Sequence, residues 1–165
     1  GDFVADQAPG VSGLEGIVLL GADGLQVQTF MELPQADGMY LSGPDLRYGV
    51  NTNQSTGATA EKFLADYESN NGNAPEAPFW AHSYDAATIL LEAIKAASHS
   101  HDGNLEIDRA GVREYLDNLS GYEGIIGTLS CDDFGDCGAQ RITVVQNSSA
   151  DFAGSIENVV FSFAP

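Results

Sequence analysis

Residues 17–25 read IVLLGADGL. A run of aliphatic residues of strand length stops at Gly21, and Asp23 follows beside Gly24. Such a pattern reads as a buried strand whose C-terminal end opens into a loop. In open α/β sheets that edge is where small ligands are held. Asp-Gly is also a common turn pair, so a plain tight turn at Asp23 and Gly24 is the competing reading.

Outward from this stretch the chain alternates strand and helix signals. In STGATAEKFLADYESNNG, Ala60, Phe63, Leu64 and Tyr67 fall at helical spacing, Ser55 or Thr56 can cap the start, and Asn-Asn-Gly stops it. FWAHSYDAATILLEAIKAAS reads as a second helix. Ala87, Leu90, Leu91 and Ile94 form its buried stripe, Ser83 is an N-cap, and Asp85 lies in the first turn, where the helix dipole favours it. DRAGVREYLDNL gives a third, with Asp108 as cap and Val112, Leu116 and Leu119 on one face. SHSHDGN between the last two reads as a polar loop, and solvated histidines are favoured there over a metal site at His99 and His101. IVLLG and GMYLSG precede the helices, while GTLSC, QRITVVQ and NVVFSF follow them as strands. PQADG and NSSADFAGS read as surface loops. The order predicts an α/β protein with a mixed sheet and a closing β-meander.

The two cysteines, Cys131 and Cys137, enclose the turn-rich DDFGD between strand-like flanks. If the flanks pair as a hairpin, the sulfurs come within bonding reach, and closing so small a loop stabilises by about 2 to 3 kcal/mol. That pairing implies an oxidising compartment. Two cysteines are too few ligands for a structural zinc, and the acidic turn lacks the loop length and closing Glu of an EF-hand.

Composition excludes several functions. At 165 residues and 43% hydrophobic, residues 1–165 read as one compact unit with one core. The 24 acidic residues against six basic ones give a formal charge of -18, which repels nucleic acid and anionic membrane surfaces alike. No stretch reaches the roughly 18–20 apolar residues of a membrane span. The opening GDFVADQAPG lacks a basic n-region and an apolar h-region, so the first residue reads as an artificial boundary or a processed end. There is no Gly-x-Ser-x-Gly elbow, no phosphate-cradling loop with Lys and no His-Glu-x-x-His, and the basic residues are scattered. The chain therefore reads as a non-enzyme with no cofactor.

Taken in order, VLLGADGL, ADGMYLSGP, FLADYESNNGNAPEAPFWAHSYDAATILLEAIKAA and DRAGVREYLDNLSGYEGIIGTLSCDDFGDCGAQRITVVQ resemble the later half of branched-chain amino acid binding proteins. These are type I periplasmic binding proteins of ABC transporters. The likeness runs from about residue 14 to 147. Its most specific elements are the Gly-Ala-Asp-Gly turn, the Tyr-Asp-Ala-Ala helix start and the Gly-x-x-Gly-x-Leu/Ile-Ser hairpin.

The resemblance implies a Rossmann-like lobe, incomplete, that binds an amino acid or a similar small solute and works with a membrane ABC permease. It implies a periplasmic or cell-surface location in a bacterium. Asp23 occupies the place of the acid that receives the α-ammonium of the ligand, and Tyr84 matches an aromatic residue near the cleft. Trp80 and His82 are further binding candidates, with core packing as their competing reading. Relatives often carry Glu where Asp23 stands, which leaves the ligand open. Family members are about twice as long and have two lobes. The opening strands of the first lobe are missing here, and the helices after about residue 57 belong to that lobe, so the chain reads as a fragment corresponding to the C-terminal half. Alone it is expected to have little or no ligand affinity and to cover its sheet edges by rearrangement or self-association. Two other roles compete with solute capture: a ligand-sensing domain of a receptor or regulator, and a degenerate interaction domain without ligand. Asn53, Asn118 and Asn147 head Asn-x-Ser patterns, which are set aside because the resemblance is bacterial.

Overall fold

The computed structural model describes residues 1–164. Along the chain, α1 (Asp2–Gln7) precedes β1 (Leu20–Gly21), a 3-10 turn at Asp23–Leu25, α2 (Gln28–Met31) and β2 (Tyr40–Pro44). Next come α3 (Ala60–Asn71), α4 (Trp80–Ala96), β3 (Ser98–His101), β4 (Asn104–Ile107) and α5 (Arg109–Asp117). The remainder holds β5 (Tyr122–Gly124), β6 (Gly127–Cys131), β7 (Cys137–Gly138), β8 (Ile142–Gln146), α6 (Phe152–Glu157) and β9 (Val159–Phe163).

These elements gather into two compact units, where the length had suggested one. The first comprises Gly1–Arg47, Pro75–Pro78 and the chain from Gln140 onward; the second comprises Tyr48–Ala74 and Phe79–Ala139. The division arises because β2 pairs with β8, which brings the tail of the chain back to its opening segment.

The first unit is built on the mixed sheet that the strand pattern predicted, in the order β1-β2-β8-β9. β1 runs parallel to β2, and the other pairs are antiparallel. Met31, Leu41 and Val145 fill its core with Phe30, Ala36 and Met39. Only Leu20 and Gly21 of the IVLLG run are strand; Ile17 and Val18 lie outside it and are 50% and 70% exposed. An edge strand with one partner buries little, so aliphatic content overstated this strand. Part of NSSADFAGS, expected as a loop, is α6, whose start is capped by Asp151 accepting from Gly154 N at 2.9 Å. PQADG contains a 3-10 turn at Pro34–Ala36.

In the second unit α3 ends at Gly72, whose positive φ of 79° suits a glycine C-cap. Its cap is Thr59, accepting from Lys62 N at 3.2 Å, instead of Ser55 or Thr56. α4 starts at Trp80 behind Phe79, three residues before the predicted cap Ser83. Its buried face is Ala81, Asp85, Thr88, Ile89 and Ala93, while Leu90 and Leu91, expected inside, are 45% and 63% exposed. The SHSHDGN segment is a hairpin, β3 with β4, turned by Asp102 and Gly103 at φ 50° and 77°. Both central residues have positive φ, the condition that Asp-Gly meets in two-residue hairpin loops. α5 has the predicted cap: Asp108 accepts from Ala110 N at 2.9 Å. β5, β6 and β7 form a separate three-stranded sheet, so the closing strands divide between the two units.

Candidate functional site

Asp23 opens the 3-10 turn after β1, with its own carbonyl accepting from Gln26 N at 3.0 Å. Two glycines seat this turn on the strand ends. A Cβ at Gly21 would stand 2.7 Å from Leu41 Cδ2 and 2.9 Å from Leu25 Cδ1, and one at Gly43 would overlap Gln26 Oε1. The Asp23 carboxylate is exposed, and no hydrogen bond or ion pair engages it among the described residues. It is thus free to meet a cation from solution, and it also sits in the turn that Asp-Gly predicted. Gln26 was missed by sequence reasoning. It is buried, and its Oε1 has no partner among the described residues. Gly43 on the next strand was the only signal for it.

Trp80, His82 and Tyr84 all lie on α4 in the second unit, whereas Asp23 lies in the first. Trp80 and Tyr84 are one helical turn apart and meet across Phe63 of α3. The Trp80 ring stacks on Phe63 at 5.1 Å between centroids, and Tyr84 meets Phe63 edge-on at 5.0 Å. Tyr84 is further held by its hydroxyl, which donates to Thr56 Oγ1 at 2.9 Å. His82 points elsewhere and packs edge-on against Phe79 at 5.5 Å. Burial pushes its pKa below the ordinary histidine value, against the opposing charge of Asp85, and its Nδ1 is buried without a partner among the described residues. The helix brings two of the three predicted aromatic-ring residues together and leaves the third outside the stack.

The polar centre of the second unit is Asp85. Its Oδ1 accepts from Ile125 N at 3.0 Å and its Oδ2 from Ile126 N at 2.9 Å, so the carboxylate closes the turn between β5 and β6. Asn53 Nδ2 donates to Asp85 Oδ1 at 2.9 Å and to Thr88 Oγ1 at 2.8 Å, and the Tyr122 hydroxyl donates to Thr88 Oγ1 at 3.0 Å. Asp85 therefore lies beyond the first turn of α4 and acts on the strands instead of on the helix dipole. Gly124 of the Gly-x-x-Gly hairpin makes room for it: a Cβ there would stand 2.5 Å from Asp85 Oδ2.

The basic residues are less scattered than their sequence positions suggest. Asp45, buried in the first unit, holds Arg47 Nε at 2.8 Å through Oδ1 and Arg141 Nη2 at 3.2 Å through Oδ2. Burial alone would raise the Asp45 pKa. The side-chain and backbone hydrogen bonds from Arg47, with the charges of both arginines, outweigh it and hold the carboxyl below its ordinary range.

Cys131 and Cys137 pair across β6 and β7 as a disulfide with 4.0 Å between Cα atoms, as the hairpin reading required. His99 and His101 each approach Glu106, at 3.2 and 3.3 Å. Among the described residues no group of three or more His, Cys, Asp or Glu side chains is arranged to hold a metal ion, and no helix is long and apolar enough to cross a membrane. Two of the Asn-x-Ser asparagines are structural: Asn53 is in the network above, and the buried Asn147 donates to the carbonyls of Met31 and Ala36 at 2.8 Å each.

No family model and no curated protein matches this chain. Solved structures do. A leucine-binding protein from Thermotoga maritima superposes with a TM-score of 0.65 at 23% identity, covering 98% of this chain and 41% of its own. An amino acid ABC transporter substrate-binding protein from Pseudomonas fluorescens gives 0.60 at 20% identity, covering 98% and 41%. A solute-binding protein of an ABC transporter from Rhodopseudomonas palustris, solved with 3,4-dihydroxybenzoic acid, gives 0.58 at 17% identity, covering 99% and 42%. The chain thus has the α/β fold of part of a type I periplasmic binding protein, and it spans about 41% of the length of the first of these neighbours. All three neighbours named here are described as binding proteins, and none as an enzyme.

Proposed function

We propose that this chain is part of the ligand-binding component of an ABC importer for amino acids, acting outside the cytoplasmic membrane and delivering its ligand to a membrane permease. The observation that carries the reading is the Asp23 carboxylate, exposed and unengaged at the C-terminal end of a parallel strand in a fold shared with amino acid binding proteins. An α-ammonium brought to this carboxylate makes a charge-assisted hydrogen bond, which is strong where water is excluded. Within the second unit, and independently of Asp23, the Trp80 and Tyr84 rings around Phe63 are the apolar surface offered to a ligand's side chain.

The test is a thermal-shift panel of amino acids, small amides and organic acids on the longest natural product of the gene. A ligand at 100 times its Kd adds about 2.7 kcal/mol to the folded state. The expected outcome is a shift with aliphatic amino acids that Asp23→Ala abolishes. A shift that survives Asp23→Ala removes Asp23 from the site, and no shift across the panel returns it to the role of a turn residue.

A further inference from the structure

Three of the six basic side chains are held by carboxylates: Arg47 and Arg141 by Asp45, and Lys62 by Asp66. Lys95 occupies the last turn of α4, where the negative end of the helix favours a cation. Arg109 and Arg113 have neither kind of support. Among the described residues neither forms an ion pair or hydrogen bond, although the chain carries 24 acidic side chains. They stand one turn apart on α5, a spacing at which like charges repel, and Arg109 is the first residue of the helix, at the positive end of its dipole. Asp117 stands one turn beyond Arg113 at the spacing of an attractive pair, yet neither it nor any other carboxylate among the described residues closes on either guanidinium, so both forks are left open to a ligand.

The same two arginines border a groove of about 360 Å³. Its lining is mainly apolar: Val112 and Leu116 come from α5, and Gly135 and Cys137 from the turn closed by the disulfide. Asp117 also borders it. A volume of this size lies in the range of small-ligand sites, roughly 300–1,000 Å³.

We propose that this groove is a binding site for a small organic carboxylate with an apolar body. Arg109 and Arg113 take the carboxylate, since a guanidinium fork matches its two oxygens, and Val112, Leu116 and Cys137 cover the hydrocarbon part. With a formal charge of -18 the chain repels anions in general, so an anion is retained only where unneutralised cations stand together. An extended acidic protein segment fits less well, because Asp132, Asp133 and Asp136 crowd the same turn as Gly135 and Cys137. The site shares no residue with the ammonium site at Asp23 and does not depend on it.

The test uses the whole chain and sodium hexanoate, with hexanol to represent the apolar body alone and acetate the charge alone, followed by amide NMR shifts. Saturable shifts confined to α5 and residues 135–137 are expected with hexanoate, about tenfold tighter than with either control. In Arg109→Gln/Arg113→Gln the affinity should fall about tenfold, the effect of losing roughly one charge-assisted contact. Both arginines are exposed, and the variant's unchanged spectrum away from α5 shows that it folds. Asp117→Asn, by removing a repelling carboxylate, should tighten hexanoate binding, a gain that misfolding cannot produce. Equal response to hexanoate and hexanol, binding that survives the double variant, or no saturable shift overturns the proposal. Tighter binding of an acidic peptide than of hexanoate also overturns it and gives the groove to a protein partner.

Discussion

Asp45 and Asp85 are both buried acids in a chain crowded with exposed ones, and their partners differ in kind. Asp45 faces two guanidiniums, each 41% exposed, so the charges are partly screened by water. Its folded-state pKa lies below the ordinary 3.8. The stabilisation it gives is therefore complete above 3.8 and is lost as the pH falls through the folded value. Asp45→Asn should cost roughly 1–2 kcal/mol near neutral pH, the lower part of the range for charge-assisted hydrogen bonds. In urea unfolding across pH, the gap between variant and wild type should close below about 3.8; a gap of constant size would sink this account. The pairing with Arg141 is not visible in the sequence, since Arg141 lies 96 residues beyond Asp45, whereas Arg47 is only two residues away. At Asp23 the sequence was more informative, because the strand, the turn and the free carboxylate are all local. Trp80, His82 and Tyr84 came from the resemblance alone, and the grouping of Trp80 with Tyr84 was not legible because the helix was read as starting at Ser83 and not at Trp80.

At the scale of elements, the lock between α4 and the turn from β5 to β6 is sensitive to a single added methyl. At Gly124 a Cβ would stand 2.5 Å from Asp85 Oδ2 and 2.6 Å from Leu129 Cδ1. Gly124→Ala should therefore destabilise by roughly 2–3 kcal/mol through overpacking. Gly24, with nothing within 4 Å of a built Cβ, is the control, and its change to Ala should fall within about 0.5 kcal/mol. Equal costs at the two sites, measured by denaturant midpoints at constant m, would refute the lock. The Gly-x-x-Gly pattern was legible, and its carboxylate partner some 40 residues earlier was not. The same blindness displaced the buried face of α4. Apolar spacing picked Leu90 and Leu91, but the helix turns inward the face that carries Asp85 and Thr88, because two backbone N–H groups need that acceptor. The β3–β4 hairpin was hidden for another reason: Ser98–His101 is polar throughout, and although Leu105 and Ile107 alternate with polar residues in Asn104–Ile107, neither is buried, so only one short flank carries a strand pattern.

For the whole molecule the charge of -18 is the dominant electrostatic feature, and it belongs to the chain as a body instead of to any one contact. Self-repulsion of this kind opposes compactness and is relieved by salt, whose screening length shrinks to about 3 Å at 1 M. The melting temperature should rise from low to high NaCl, by roughly 2–4 °C for each kcal/mol of repulsion relieved. The Asp45 pairs work in the opposite sense, but they are few and partly buried, so they are screened less. A melting temperature that falls with salt would mean that ion pairs dominate. Fold class was legible from the order of strands and helices, whereas the division into two units was not, because it depends on which distant strands pair.

That pairing also fixes an order of events in time. The second unit is drawn from Tyr48–Ala74 and Phe79–Ala139, nearly one continuous run, while the first needs β8 and β9 from the far end of the chain. During synthesis the second unit is complete once Ala139 has emerged, whereas β2 still waits for β8, and Met31 and Ala36 wait for Asn147, more than a hundred residues downstream of both. Closing so long a loop is slow, and until it closes β2 offers an open edge to any neighbouring strand. The half-made chain, more than the finished one, is where this protein is exposed to misassembly.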